Sequence, residues 1–183
     1  YNHNNTSVIG TGFRYSVVDL TLNGGLGGVI AGEKNILVRQ RAYEKLTAIK
    51  HANNTDFWIL INDWIDDDIY SYKLSNLGLD TIPVISGIGP FHGHTTNTLG
   101  YLKASRQNNR IALGRWNYNS FAVMNYDNTT GMASNRIDIT GSNNTLYKTY
   151  GVEFSPDGTK LFGTTMASPF KVLQFDLSTG IGD

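Results

Sequence analysis

The sequence predicts an all-β fold: a β-propeller of four-stranded antiparallel blades that is incomplete, with about three and a half blades in this chain. Three observations support the prediction: a composition rich in turn-forming residues, an internal repeat, and hairpin turns that recur within it. The 183 residues include 20 Gly and 19 Asn. Both types tolerate positive φ in tight turns, and the stretches between them are rich in residues typical of strands.

The internal repeat has an offset of about 50 residues. Residues 100–111 and 150–161 share an alternating apolar run, a polar turn, a basic residue and a second apolar run. Residues 123–131 and 172–180 match each other one strand further along. A period of this length with four strands per unit is the sequence signature of a propeller blade.

The repeat divides residues 1–183 into parts of one propeller domain. A partial copy near Tyr15 predicts a partial blade, and a looser copy that begins at Leu46 predicts the next blade. The predicted parts are a partial blade over 1–40 and blades over about 44–88, 96–141 and 147–183, the last lacking its outer strand.

One stretch conflicts locally with this assignment. Residues 33–52 contain good helix formers, with apolar residues roughly on one helical face. Because the repeat outranks local propensity, Thr47 to Ala52 is predicted to form an innermost strand. A short helical turn over residues 39–45 remains possible.

The recurrent turns close the predicted hairpins. In Ser155-Pro156-Asp157-Gly158, proline fits a position that needs φ near −65°, and glycine fits the position where φ turns positive. Residues 128–131 and 178–180 are expected to join the third and fourth strands of their blades in the same manner.

Composition excludes several classes of function. The 15 basic and 15 acidic residues give zero net charge, which is not typical of proteins that bind nucleic acid or an anionic membrane surface. No apolar run approaches the length of a membrane-spanning helix, so no membrane insertion is predicted. The absence of cysteine excludes disulfides, thiolate metal sites and cysteine nucleophiles. We predict no cofactor.

The number of blades implies a missing part of the ring. A propeller closes with roughly four to eight blades, and an open arc would leave unpaired sheet edges. The chain is therefore expected to be a piece of a larger propeller. Its expected structural partners are the remaining blades of the same propeller or another chain that completes it.

Several segments resemble one family of propellers. Residues 150–161 with 174–178 downstream, together with 15–27, 50–58 and 100–105, resemble WD-type repeats of large secreted proteins of Bacteroidota. Those proteins often carry gliding-motility-associated or type IX secretion sorting domains. The resemblance implies a secreted or cell-surface bacterial protein, and it supplies no catalytic motif.

Propeller topology places the variable loops on one face of the disc. Loops between the second and third strands of each blade, and links between blades, share that face, and such loops often carry binding residues. The candidate binding residues are Trp64, Asp66, Asp67, Asp68, Phe91, His92, His94, Trp116 and Tyr118.

Each of these groups also has a structural interpretation. The two histidines could ligate a metal or simply be exposed, and we predict no metal site. The aspartates could bind calcium or form a solvated hairpin tip. The aromatic residues could stack on a ligand or pack between blades. Thr81, within Asp80-Thr81-Ile82, is a candidate for O-glycosylation because the triplet resembles the motif of Bacteroidota secreted proteins.

The function predicted from the sequence is a non-catalytic interaction module. It is expected to bind a protein or a glycan through the loop face, because no convergent set of acids and bases is evident. The first alternative is a propeller enzyme, lactonase-like or glycan-cleaving, with calcium or carboxylates at the channel mouth. The second alternative is a structural spacer in a large adhesin.

Overall fold

The computed structural model of the protein describes residues 12–42, 44–63, 66, 68–89, 99–141, 146 and 148–178. Nearly all regular structure in these residues is β-strand, arranged in small antiparallel sheets that follow one another along the chain. The predicted all-β propeller is confirmed, and the arc of blades does not close into a ring.

The first unit is a partial blade. It contains β1 (Phe13–Tyr15), β2 (Val18–Asp19), a helical turn α1 (Leu22–Gly25), β3 (Gly28–Val29) and β4 (Ile36–Arg39). Strand β1 pairs with β4, and β2 pairs with β3. The two pairs form separate two-stranded sheets.

The second blade divides its outer position between two short strands. It contains β5 (Leu46–Lys50), β6 (Phe57–Asn62), β7 (Ile69–Ser75), β8 (Gly78–Leu79) and β9 (Val84–Ser86). Strand β8 pairs with one end of β7, and β9 pairs with the other end. The sheet therefore keeps a blade's order of inner, middle and outer strands.

The third blade has four strands, and the described residues of the fourth form three. The third contains β10 (Leu102–Ala104), β11 (Arg110–Arg115), a 3-10 turn (Trp116–Tyr118), β12 (Ser120–Asp127) and β13 (Met132–Thr140). The fourth contains β14 (Thr149–Phe154), β15 (Lys160–Thr165) and β16 (Val172–Asp176). Among the described residues β16 is the last strand of this sheet, and near it Phe170 and Val172 are exposed.

The segment with helical propensity is a strand. Leu46–Lys50 pairs along its full length with β6, which confirms the predicted strand over residues 47–50, whereas His51 and Ala52 lie in the turn that follows it. Ile49 is fully buried between blades, so interblade packing outweighs local propensity here. The described residues of the stretch 39–45 contain no helical turn, because Arg39 still belongs to β4 and the chain then bends toward β5.

The repeat is visible in the turns between the first and second strands. In each turn one backbone carbonyl oxygen accepts a hydrogen bond from the N–H of the residue three positions later. The accepting residues are His51, Ser105 and Ser155. That later residue has positive φ in every copy: 63° at Asn54, 59° at Asn108 and 73° at Gly158. Asn and Gly adopt this conformation at low cost, which explains their abundance.

Apolar cores lie between neighbouring blades. Leu60 of the second blade and Met124 of the third belong to one buried cluster, and Phe121 and Leu161 belong to another between the third and fourth blades. A Cβ on Gly163 would lie 2.4 Å from the Phe121 ring, so only glycine admits that ring. This packing holds neighbouring blades together.

Candidate functional site

The innermost strands β5, β10 and β14 position the candidate site. Strand β10 lies next to both of the others, and the segments that lead into the three strands reach the same face. The backbone N–H of Tyr101 donates to the carbonyl oxygen of Tyr150 at 3.0 Å, which joins the starts of β10 and β14. A Cβ on Gly114 would lie 2.5 Å from that oxygen, so glycine permits the close approach.

The group of side chains at these strand starts is termed the inner-strand cluster. Five of its members stand at or just before the start of an innermost strand, and the sixth, Trp116, lies in the 3-10 turn and contacts Tyr150. The members are Glu44, Lys45, Tyr101, Trp116, Lys148 and Tyr150.

Glu44 provides the carboxylate of the inner-strand cluster. It is exposed, and its Oε1 accepts a hydrogen bond from the backbone N–H of Gly100 at 2.7 Å. The bond holds the carboxylate in place while leaving it open to solvent. A positioned carboxylate with solvent access can accept a proton from water.

Tyr150 connects the carboxylate to the aromatic side chains. Its pKa is raised by burial first and then by the negative charge of Glu44, to which it is hydrogen-bonded. Its ring centroid lies 5.5 Å from that of Tyr101 and 5.9 Å from that of Trp116, the latter nearly perpendicular. The three rings form an aromatic surface beside Glu44.

Lys45 is the buried lysine of the cluster. Its side chain is almost completely inaccessible, and Nζ donates to the carbonyl oxygen of Leu99 at 2.9 Å. Burial lowers the pKa of Lys45 to about 7, partly opposed by the charge of Glu44. Because it is buried, Lys45 positions the chain before β10 and does not reach solvent.

Two further lysines supply accessible positive charge. The Nζ of Lys148 lies 5.5 Å from the Trp116 ring centroid and donates to Asn117 Oδ1. Lys103 on β10 pairs with Glu153 on β14 at 3.2 Å, and both are partly exposed. The region therefore offers a carboxylate, an aromatic surface and ammonium groups, a combination suited to a polar substrate with anionic character.

Two predicted binding residues are in or near the inner-strand cluster. Trp116 contacts Tyr150 across the boundary of the third and fourth blades. The ring of Tyr118 lies 4.2 Å from the guanidinium carbon of Arg115, which pairs with Asp138 at 3.2 Å. Both aromatic residues thus take part in packing, and their predicted role in binding stays a prediction.

Asp66 and Asp68 form a separate group. The Tyr70 hydroxyl is 2.8 Å from Asp68 Oδ2 and 3.2 Å from Asp66 Oδ2. The neighbouring Asp63, whose side chain is fully buried, pairs with Arg39. The described contacts of Asp66 and Asp68 are thus with Tyr70, and the predicted binding role of both aspartates stays a prediction.

Other predictions fall on residues outside the described part of the chain. They are Trp64, Asp67, Phe91, His92 and His94. Within the residues that the structure does describe, no group of three or more histidine or acidic side chains could hold a metal ion. Thr81 is exposed in the bend before β9, and its glycosylation stays a prediction.

Sequence reasoning missed Glu44, Lys45, Tyr101, Lys148 and Tyr150 as members of one site. The available signal was positional, because each stands immediately before or at the start of a predicted innermost strand. Charged or aromatic residues recurring at those positions could have indicated a site near the axis. The described residues contain no helix long and apolar enough to cross a membrane.

Comparisons by sequence and by structure give different results. No family model matches the chain, and no curated protein matches its sequence. Among solved structures, a candidate 6-phosphogluconolactonase from Bacteroides uniformis matches with a TM-score of 0.60 and 16% identity, over 92% of this chain and 48% of that one. A second, from Bacteroides fragilis, matches with a TM-score of 0.58 and 13% identity, over 92% and 49%.

A third similar structure carries the name of a different enzyme. Hydrazine synthase from Kuenenia stuttgartiensis matches with a TM-score of 0.52 and 14% identity, over 90% of this chain and 41% of that one. At these identities the likeness shows the fold alone. The chain spans about half the length of the candidate lactonases that it matches.

These matches correct the function predicted from the sequence. The expectation of a non-catalytic module that binds protein or glycan is wrong, because the similar structures carry the names of enzymes. The sequence shows no evident acid–base set because the strand starts that form the inner-strand cluster are far apart in sequence.

Proposed function

We propose that this chain forms part of a propeller hydrolase that opens lactone rings at the inner-strand cluster. Two features support the proposal: the shared fold with candidate 6-phosphogluconolactonases, and the contacts of Tyr150. The contacts of Tyr150 carry the argument, because that one side chain joins the Glu44 carboxylate to an aromatic surface.

In the proposed reaction, Glu44 acts as the general base. It accepts a proton from water as the water oxygen bonds to the lactone carbonyl carbon. The ring C–O bond then breaks, and the ring oxygen takes the proton back from Glu44. The product is a hydroxy acid, and no cofactor is consumed.

The other side chains of the cluster would bind and orient the substrate. Tyr101 and Trp116 offer ring faces against which a sugar-derived ring can pack. Lys148 lies beside Trp116 and would bind a phosphate group or the developing oxyanion. A lactone of a phosphorylated sugar acid, the substrate class in the names of the similar structures, suits these groups.

The proposal extends to the protein that contains this chain. We propose that further blades of the same propeller, or another chain, complete the ring around the cluster. Secretion and a cell-surface location stay predictions from the sequence resemblance.

Lactone hydrolysis by the protein with its natural flanking sequence tests the proposal. The assay follows acid release from 6-phosphogluconolactone and from glucono-δ-lactone, after subtraction of spontaneous hydrolysis. Glu44→Gln is expected to lower kcat/KM by about 100-fold or more, as loss of a general base does. Glu33→Gln, an exposed carboxylate in the turn before β4, is the matched control and should leave kcat/KM unchanged.

Two results would contradict the proposal. One is wild-type protein that accelerates neither lactone above the spontaneous rate. The other is Glu44→Gln protein that retains the wild-type rate. Lys148→Met should raise KM for the phosphorylated lactone more than for the neutral one, which separates phosphate binding from catalysis.

A further inference from the structure

A groove on the opposite face of the disc lies between the third and fourth blades. Two clefts of about 200 Å³ each adjoin there and share Arg110 and Leu177 in their linings. Together they reach the lower end of the ~300–1,000 Å³ typical of small-molecule sites. Turns between first and second strands line one cleft, and strands β12 and β13 line the other, so neither includes a residue of the inner-strand cluster.

Arg110 is the positive charge of the groove. It is partly buried at the start of β11, and its guanidinium donates from Nη1 to the Gly158 carbonyl oxygen at 3.3 Å. None of the ion pairs among the described residues includes Arg110. A guanidinium held by one backbone contact keeps donors available for a carboxylate, which it binds in a two-pronged geometry.

Groups that can bind hydroxyls line the same two clefts as this guanidinium. Asn125 and Asn135 line the cleft on the third blade, where a bulge in the pairing of β12 and β13 places Asn135 at a φ of 50°. Bulges commonly redirect a side chain toward a functional surface. Asp157 lines the other cleft, and Ser155 and Thr159 hold its Oδ1, leaving Oδ2 as an acceptor.

The floor of the groove is apolar and fixed. Leu177 is buried, and its backbone N–H donates to the Thr159 carbonyl oxygen at 2.7 Å. This contact ties the end of β16 to the turn that carries Asp157. The polar groups are therefore presented on a rigid support, which lowers the entropic cost of binding.

We propose that this groove binds a small polyhydroxylated carboxylate, such as a sugar acid. Arg110 pairs with the carboxylate of the ligand, and Asn125, Asn135 and Asp157 bond to its hydroxyl groups. A simple anion lacks the hydroxyls and a neutral sugar lacks the carboxylate, so both are weaker ligands. The inference does not depend on the proposed hydrolase activity.

Direct titration of the protein in its natural context tests this site. The probes are sodium gluconate, glucose and sodium acetate, with binding followed by calorimetry at concentrations up to about 50 mM. Gluconate is expected to bind at least about tenfold more tightly than either other probe. Arg110→Gln should weaken gluconate binding by about tenfold or more, and Arg110→Lys by less.

Arg106→Gln is the matched control, because Arg106 is an exposed arginine in the same turn and does not line either cleft. It should bind gluconate as the wild type does, and thermal unfolding verifies that each variant is folded. Three results would overturn the inference: no gluconate binding by the wild type, equal affinity for glucose, or unchanged affinity in folded Arg110→Gln or Arg110→Lys protein. Because the assay measures binding alone, its failure is distinct from failure of the lactonase proposal.

Discussion

The ammonium of Lys45 donates a hydrogen bond of 2.9 Å to the carbonyl oxygen of Leu99. Lys45 precedes β5 and Leu99 lies shortly before β10, so this contact links the starts of two innermost strands 54 residues apart. It also places a lysine where burial disfavours its charged form.

The burial of Lys45 predicts a pH-dependent stability. Its pKa is about 7 in the folded protein against 10.5 for an ordinary lysine, so between these values the unfolded state binds more protons. The free energy of unfolding should therefore rise with pH across this window, by up to about 1.4 kcal/mol per pH unit. Urea unfolding at pH 7 and pH 9 measures the effect.

Lys45→Met provides the comparison for that measurement. Methionine has similar length and no titratable group, so the rise in stability from pH 7 to pH 9 should be smaller in the variant. An equal rise in both proteins would mean that groups other than Lys45 cause it.

Asp63 is predicted to be structural. Its fully buried carboxylate pairs with Arg39 and lies 3.4 Å from Arg41 Nε. Asp63→Asn removes the charge while the arginines stay, and such a change typically costs about 3–5 kcal/mol of stability. Asp66→Asn, at a carboxylate that is partly exposed and 4.0 Å from Arg39, should cost less than about 1 kcal/mol by chemical denaturation. An equal loss of stability in Asp63→Asn and Asp66→Asn would contradict the structural role of Asp63.

Gly114 is predicted to tolerate no side chain. A Cβ there would lie 2.5 Å from the Tyr150 carbonyl oxygen, and backbone atoms cannot move aside as a flexible side chain can. Gly114→Ala should lower the free energy of unfolding by about 1–3 kcal/mol or more. Gly87→Ala, whose Cβ would meet only Asp68 Oδ1 at 3.5 Å, should change stability by about 0.5 kcal/mol or less. A Gly114→Ala protein as stable as Gly87→Ala would contradict the close approach.

The turns between first and second strands are predicted to tolerate glycine better than alanine at their positive-φ residue. Asn108 has a φ of 59°, which alanine adopts at a cost of about 1–2 kcal/mol and glycine adopts freely. Asn108→Ala should therefore destabilise the protein, whereas Asn108→Gly should be close to neutral in thermal unfolding. The same order is expected at Asn54, whose φ is 63°. Equal stability of the alanine and glycine variants would exclude this turn geometry.

Much of the fold was predictable because it repeats. The match between residues 100–111 and 150–161 correctly predicted the first two strands and the turn of the third and fourth blades. The looser copy that begins at Leu46 predicted a strand over residues 47–52, where local propensity favoured a helix; the strand is Leu46–Lys50, two residues shorter at its end. The helical turn considered over 39–45 is absent from the described residues of that stretch, since β4 extends to Arg39.

The candidate site was much less predictable. Loop composition drew attention to Asp66, Asp68, Trp116 and Tyr118, because aromatic and acidic residues in variable loops are common in binding sites. In the structure, the two aspartates accept hydrogen bonds from the Tyr70 hydroxyl. Glu44 was missed because nothing in its local sequence indicates that Gly100 and Tyr150 will be its neighbours.

The amino-acid sequence by itself determined the class of fold and the order of the strands. Apolar–polar alternation and turn residues are local features of the sequence, and their recurrence about every 50 residues makes each copy support the others. Only the tertiary structure decided which side chains meet at the strand starts. That outcome depends on how closely neighbouring blades approach, and the approach is set by packing across them, as at Gly114 and Gly163. A contact between residues more than fifty positions apart, such as Lys45 with Leu99, leaves no periodic trace in the sequence.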